Sequence, residues 1–145
     1  MNGNPLRAPT RYVVSALFGA VGIAHFARTE TLERIMPPYI PFHRELVLAS
    51  GVAEIAGALG FAFGREEVRR WSGLWLIALL LAVFPANVQM AVHPDEYPEV
   101  WSGKATLLVR LPLQFVLIAI VWWAMQSDAQ TSDSAPGTYA KPVPD

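Results

Sequence analysis

Four apolar stretches, at residues 12–27, 46–63, 71–92 and 107–125, are each broken by only a few polar residues. Crossing the hydrocarbon core of a bilayer takes about 20 residues of helix, with a range of roughly 17–25. Inside that core every backbone donor and acceptor has to be satisfied within the segment, which leaves helices as the solution for stretches of this kind. The sequence therefore predicts an all-α fold, a four-helix transmembrane bundle. Composition agrees. Hydrophobic residues make up 53% of the chain and charged residues 16%, against about 25% charged in a soluble domain. A net charge of −1 points to no nucleic-acid partner, and the lipid bilayer is the expected surrounding. The absence of cysteine excludes disulfides, thiolate metal sites and dithiol chemistry carried by this chain.

The chain divides into a short N-terminus (residues 1–11), a membrane domain (12–126) and a tail (127–145) that is disordered by composition. Stretch 12–27 is short, and the sequence predicts that its helix continues through 28–36, where Leu32, Ile35 and Met36 keep helical spacing. Pro37 and Pro38 then stop it, since proline pushes the residue before it out of the helical region. A signal peptide cleaved near Gly22-Ile23-Ala24 is the weaker reading, because the spacing of Ser15, Gly19 and Gly22 suits a packed span. Arg7, Arg11, Arg65, Arg69, Arg70 and Lys141 fall on one side of a four-span topology, and Arg28, Arg34, Arg44 and Lys104 on the other. The positive-inside rule then places both termini in the cytoplasm and the acidic loop 93–99 outside. Tyr12, Trp71, Tyr97, Trp101, Trp122 and Trp123 lie near the span boundaries, where interfacial aromatics belong.

Small residues set the expected packing. Ala49, Ala53 and Gly57 recur every four residues in the second span, as do Ala56 and Gly60, and the first has a similar row in Ser15, Gly19 and Ile23, with Gly22 beside it. Such rows let helix backbones approach closely, so spans one and two are the expected tight pair. Pro85 in span three removes a backbone donor and frees a carbonyl that needs a partner; Pro112 does the same in span four.

At 1.5 Å per residue, His25, Glu54, Asn87, Arg110 and Gln114 all reach the outer half of the bundle, with contributions from every span. Each has a plain structural reading. His25 and Arg110 can snorkel to the surface, Asn87 can bond the carbonyl freed by Pro85, and Gln114 can make an ordinary interhelix bond worth about 0.6 kcal/mol. Glu54 resists such a reading. A mid-span acid has to be protonated or paired, and Arg110 or His25 is its expected partner. The apolar, proline-rich loop Met36-Pro37-Pro38-Tyr39-Ile40-Pro41-Phe42-His43 is expected to lie half-buried at the outer surface, either as a lid over these residues, which adds Tyr39 to the candidate ligand site, or as a stiff connector.

Several strings resemble the DoxX family of small bacterial membrane proteins. They are Gly22-Ile23-Ala24-His25-Phe26, the loop from Met36 to His43, Ser50-Gly51-Val52-Ala53-Glu54-Ile55-Ala56-Gly57 and Val83-Phe84-Pro85-Ala86-Asn87-Val88-Gln89-Met90-Ala91. The resemblance spans residues 12–125 and implies a four-helix protein of the bacterial cytoplasmic membrane, associated with quinone-linked or redox-stress chemistry. The thiol-dependent branch of that family does not carry over to a chain without cysteine.

Three functions follow. The first is an accessory or binding subunit whose polar centre holds a lipophilic molecule such as a quinone for a membrane or periplasmic redox protein. His25, Asn87 and Arg110 would donate to carbonyls and Glu54 would exchange protons. No haem-ligand pair, flavin motif or metal site is visible, so electrons would come from the partner and no covalent cofactor is expected. The second is a stand-alone membrane enzyme or a small proton-coupled carrier using Glu54 and His25, the carrier as a homo-oligomer. The third is an assembly factor whose polar residues only fix helix register.

Overall fold

A computed structural model of the chain describes residues 4–93 and 104–126. Every regular element in them is an α-helix: α1 (Arg7–Ala27), α2 (Thr29–Arg34), α3 (His43–Phe63), α4 (Glu66–Val92) and α5 (Lys104–Met125). The helices α1, α3 and α4 are each long and apolar enough to cross a membrane. In α5 the apolar stretch Val109–Met125 is shorter. Residues 127–145, most of the 93–99 loop, Tyr97 and Trp101 lie outside the described residues.

The helices begin earlier than the apolar stretches do. α1 starts at Arg7 and accommodates Pro9, because the first-turn N–H groups have no intrahelical partner to lose. Glu66 and Glu67 open α4, where the helix dipole favours negative charge. The expected continuation of the first helix through residues 28–36 is corrected: Arg28, at φ −131° and ψ 33°, interrupts it. Thr29 then starts the separate six-residue α2, its hydroxyl bonding the carbonyls of His25 at 2.7 Å and Phe26 at 3.1 Å. Phe42, just before α3, has φ 58° and ψ 45°, a left-handed backbone rare for a bulky residue.

The four long helices pack in a ring, each against the next in the order α1, α3, α4, α5 and back to α1. The start of α1 and the end of α5 share one end of the bundle, where Arg7 Nη1 donates to the Gln126 carbonyl at 3.2 Å and Arg7 lies 5.7 Å from the centre of the Trp123 ring. Tyr12 meets Phe63 there, with ring centroids 6.2 Å apart. Toward this end lies the main apolar core, built from Val14, Phe18, Ala58, Phe61, Leu76, Val121, Ala124 and Met125. A second cluster sits toward the opposite end, where Met90 and Ala91 pack with Ile35 and Leu111.

α1 and α3 form the most extensive contact, as the small residues predict, and it is made by Gly22, beside the expected row of α1, and by Gly51, outside the expected rows of α3. A Cβ on Gly22 would stand 2.9 Å from the Gly51 carbonyl, and one on Gly51 would stand 2.9 Å from the Gly22 carbonyl. Only hydrogens at both positions permit that approach. Gly57 instead faces Leu76 and Trp75 of α4, and Trp75 Nε1 donates to the Ala53 carbonyl at 3.1 Å. The row Ala53–Gly57 thus serves the α3–α4 seam. Gly19 has open space where its Cβ would be.

Candidate functional site

The polar residues lie between the two apolar clusters. On α4, Asn87 falls between Leu76 and Met90; on α5, Gln114 falls between Val121 and Leu111. The expected single polar centre resolves into two pairs, one joining α1 to α3 and the other α4 to α5.

Glu54 is 7% exposed, and its Oε2 is buried without a hydrogen bond. That oxygen lies 3.7 Å from Nδ1 of His25, whose side chain is 14% exposed. Nδ1 is also 2.9 Å from the Val21 carbonyl one turn back. A carbonyl only accepts, so Nδ1 carries the proton and Nε2 is the ring's remaining polar atom. At 3.7 Å the carboxylate is within ionic reach of the ring but beyond hydrogen-bond distance. The close contact of Gly22 and Gly51 makes this placement possible: a Cβ on Gly51 would lie 2.7 Å from His25 Cβ. Of the two partners expected for Glu54, the structure selects His25. The pairing with Arg110 is not formed. Arg110 occupies α5, partly buried.

In the second pair, Asn87 Nδ2 donates to Gln114 Oε1 at 2.8 Å, and Gln114 Nε2 donates to the Leu80 carbonyl. The assignment of Asn87 to the carbonyl freed by Pro85 is therefore corrected. Gln114 reaches the backbone of α4 just before the proline, and Asn87 holds Gln114. Sequence reasoning saw both amides but not this order, because it depends on which face of α4 meets α5.

Tyr39 does not join the site. It is 69% exposed, as is Phe42 at 73%. Pro37 is the fully buried residue of this loop; its carbonyl lies 3.2 Å from His43 Nε2. The second apolar cluster takes in Ile35, just past α2, rather than Tyr39. Helical spacing marks Ile35 in the sequence; nothing marks its partner Met90. Among the described residues no group of three or more His, Asp or Glu side chains is placed to hold a metal ion.

These elements define an all-helical protein, with helices long enough to cross a membrane and an acid–imidazole pair buried between two of them. The chain belongs to the family described as a domain of unknown function (DUF8561), whose model matches residues 14–125. No curated protein and no solved structure matches it.

Proposed function

We propose that this is a four-span membrane protein, with α5 as the fourth span and both termini cytoplasmic, that binds a small lipophilic molecule at His25 and Glu54. The observation that carries this reading is Glu54: an acid 7% exposed, with an oxygen that makes no hydrogen bond, next to an imidazole. Burial of that kind is costly without a use and marks functional sites in membrane helices. With Nδ1 carrying the proton, His25 Nε2 accepts from a hydroxyl and donates to a carbonyl once the ring takes up a second proton, and Glu54 can take up or release a proton beside it. A quinone-like ligand fits that chemistry, with a membrane or periplasmic redox protein as the source of electrons. The resemblance to DoxX proteins of the bacterial cytoplasmic membrane supports the same reading. Asn87 and Gln114 then act as the brace between α4 and α5.

The test is purification of the full chain in mild detergent, followed by extraction and mass spectrometry of bound lipophilic molecules. Wild-type protein should retain one such compound, and Glu54→Gln should lose it while keeping its helical circular dichroism. Equal retention by both proteins would refute the site.

A further inference from the structure

We propose that the groove between α1 and α3 on the outer face of the bundle is a binding site for an anionic phospholipid. It encloses about 310 Å³ and is lined by Ser15, Gly19 and Ile23 of α1 and by Ile55, Leu59 and Phe63 of α3, among others. Its walls are almost entirely apolar, and the open space at Gly19 is what leaves it unfilled. From Tyr12 to Ile23 it runs 11 residues of helix, about 16 Å, the scale of an extended acyl segment rather than of a compact solute.

Two polar features give the groove a direction. Ser15 is 7% exposed, and its hydroxyl is buried with no hydrogen-bond partner. One turn away, at the end of the groove closed by Tyr12 and Phe63, the Arg11 guanidinium lies 5.7 Å from the Tyr12 ring centre, and its Nε makes no hydrogen bond. Arg65 follows Phe63 by two residues, and this end of the bundle also carries Arg7, Arg69 and Arg70, against Glu66 and Glu67. A phospholipid has the same order of groups. Its phosphate would meet Arg11 and the basic end, its glycerol ester carbonyls would lie about one turn deeper beside the Ser15 hydroxyl, and one chain would run over Gly19 toward Ile23. A second copy of this chain would leave the arginines facing one another, so the charge favours the lipid. The inference rests on the membrane-spanning reading and not on the His25–Glu54 site.

Native mass spectrometry of the full chain in detergent, titrated with phosphatidylglycerol or with phosphatidylcholine, tests it. Phosphatidylglycerol should bind the more tightly, and Arg11→Gln should weaken it about five-fold, the effect of one arginine at a headgroup. Gly19→Leu has room for its side chain, so it should fold normally by circular dichroism and lose the bound lipid. Glu54→Gln should bind phosphatidylglycerol as wild type does, which separates this site from the other. Unchanged lipid binding in Gly19→Leu would overturn the proposal. So would equal affinity for the two lipids, or disulfide dimers of Gly19→Cys protein that retain no phospholipid.

Discussion

Glu54 Oε2 and His25 Nδ1 stand 3.7 Å apart across the most extensive helix contact among the described residues, and Nδ1 is already committed to the Val21 carbonyl. The pair is therefore oriented from the α1 side. The backbone of α1 fixes the ring, and α3 brings the carboxylate to it. Neighbouring charged groups of this kind usually couple by about 0.5–3 kcal/mol in a double-mutant cycle. Thermal denaturation of Glu54→Gln, His25→Gln and the double variant should show a coupling energy in that range. The same cycle between Glu54 and Arg110 should give a smaller one. A larger Glu54–Arg110 coupling would mean that the acid is held from α5.

Gly51 and Gly19 offer a matched contrast. Gly51→Ala places a Cβ 2.7 Å from His25 Cβ and 2.9 Å from the Gly22 carbonyl, so α1 and α3 must separate. Overpacking of this sort costs about 1–3 kcal/mol and should also displace His25, so retention of the bound ligand falls with the melting temperature. Gly19→Ala meets nothing within 4 Å and should stabilise α1 by up to about 1 kcal/mol through helix propensity. Melting curves of the two variants in one detergent decide the matter, and equal losses would remove the special status of the Gly22–Gly51 contact.

Much of this arrangement was legible in the sequence, for reasons tied to particular residues. The apolar stretches located the long helices because hydrocarbon-compatible runs are hard to use otherwise, and Glu54 stood out because a mid-span acid is costly. Pairing α1 with α3 followed from their small residues. What did not follow was direction around each helix. Gly57 and Ala53 face α4 rather than α1, and Gln114, not Asn87, reaches the backbone near Pro85. Small residues and amides look alike from either side of a helix, so spacing alone could not assign them. Tyr39 differs for a related reason, since a loop of prolines fixes its own path but not which side chain turns inward, and the one that does is Pro37.

Gln114 serves two partners and Asn87 one, so their substitutions should differ. Gln114→Leu leaves Asn87 Nδ2 without its acceptor and also removes the side-chain donor to the Leu80 carbonyl, which keeps its helical partner four residues on; a buried unsatisfied polar group costs about 1–3 kcal/mol. Asn87→Leu leaves the bond from Gln114 to Leu80 in place and should cost nearer the 0.6 kcal/mol average for interhelix bonds in membrane proteins. Denaturation of the purified variants should therefore rank Gln114→Leu below Asn87→Leu. The reverse order would show that Asn87 anchors the brace.

Phe42 holds a left-handed backbone at φ 58° while its side chain is 73% exposed. A non-glycine residue there costs on the order of 1–3 kcal/mol, and Phe42 gains little packing within the chain to offset it. Phe42→Gly should raise the melting temperature in detergent, and Phe42→Val, β-branched and less tolerant of positive φ, should lower it. A fall in both would mean that the phenyl ring itself stabilises the protein.

Orientation can be read directly, because the chain contains no cysteine and any introduced thiol is the sole target. The basic end carries Arg7, Arg11, Arg65, Arg69 and Arg70 against Glu66 and Glu67, whereas Arg28, Arg34 and Arg44 at the other end are balanced by Glu30, Glu33 and Glu45. One of those balances is a direct ion pair, Arg44 Nη1 to Glu33 Oε1 at 3.3 Å. The excess of arginine, five against three, is what supports the proposed cytoplasmic placement of the first end. Tyr39, 69% exposed, lies on the opposite side, and Glu67 lies exposed near the basic turn. In intact cells a membrane-impermeant maleimide should label Tyr39→Cys, and Glu67→Cys should react only after permeabilisation. The opposite pattern would turn the protein over and put the His25–Glu54 pair in the cytoplasmic half, within reach of cytoplasmic rather than periplasmic partners. Labelling of both positions in intact cells would argue that the helices do not span the bilayer as a four-helix unit.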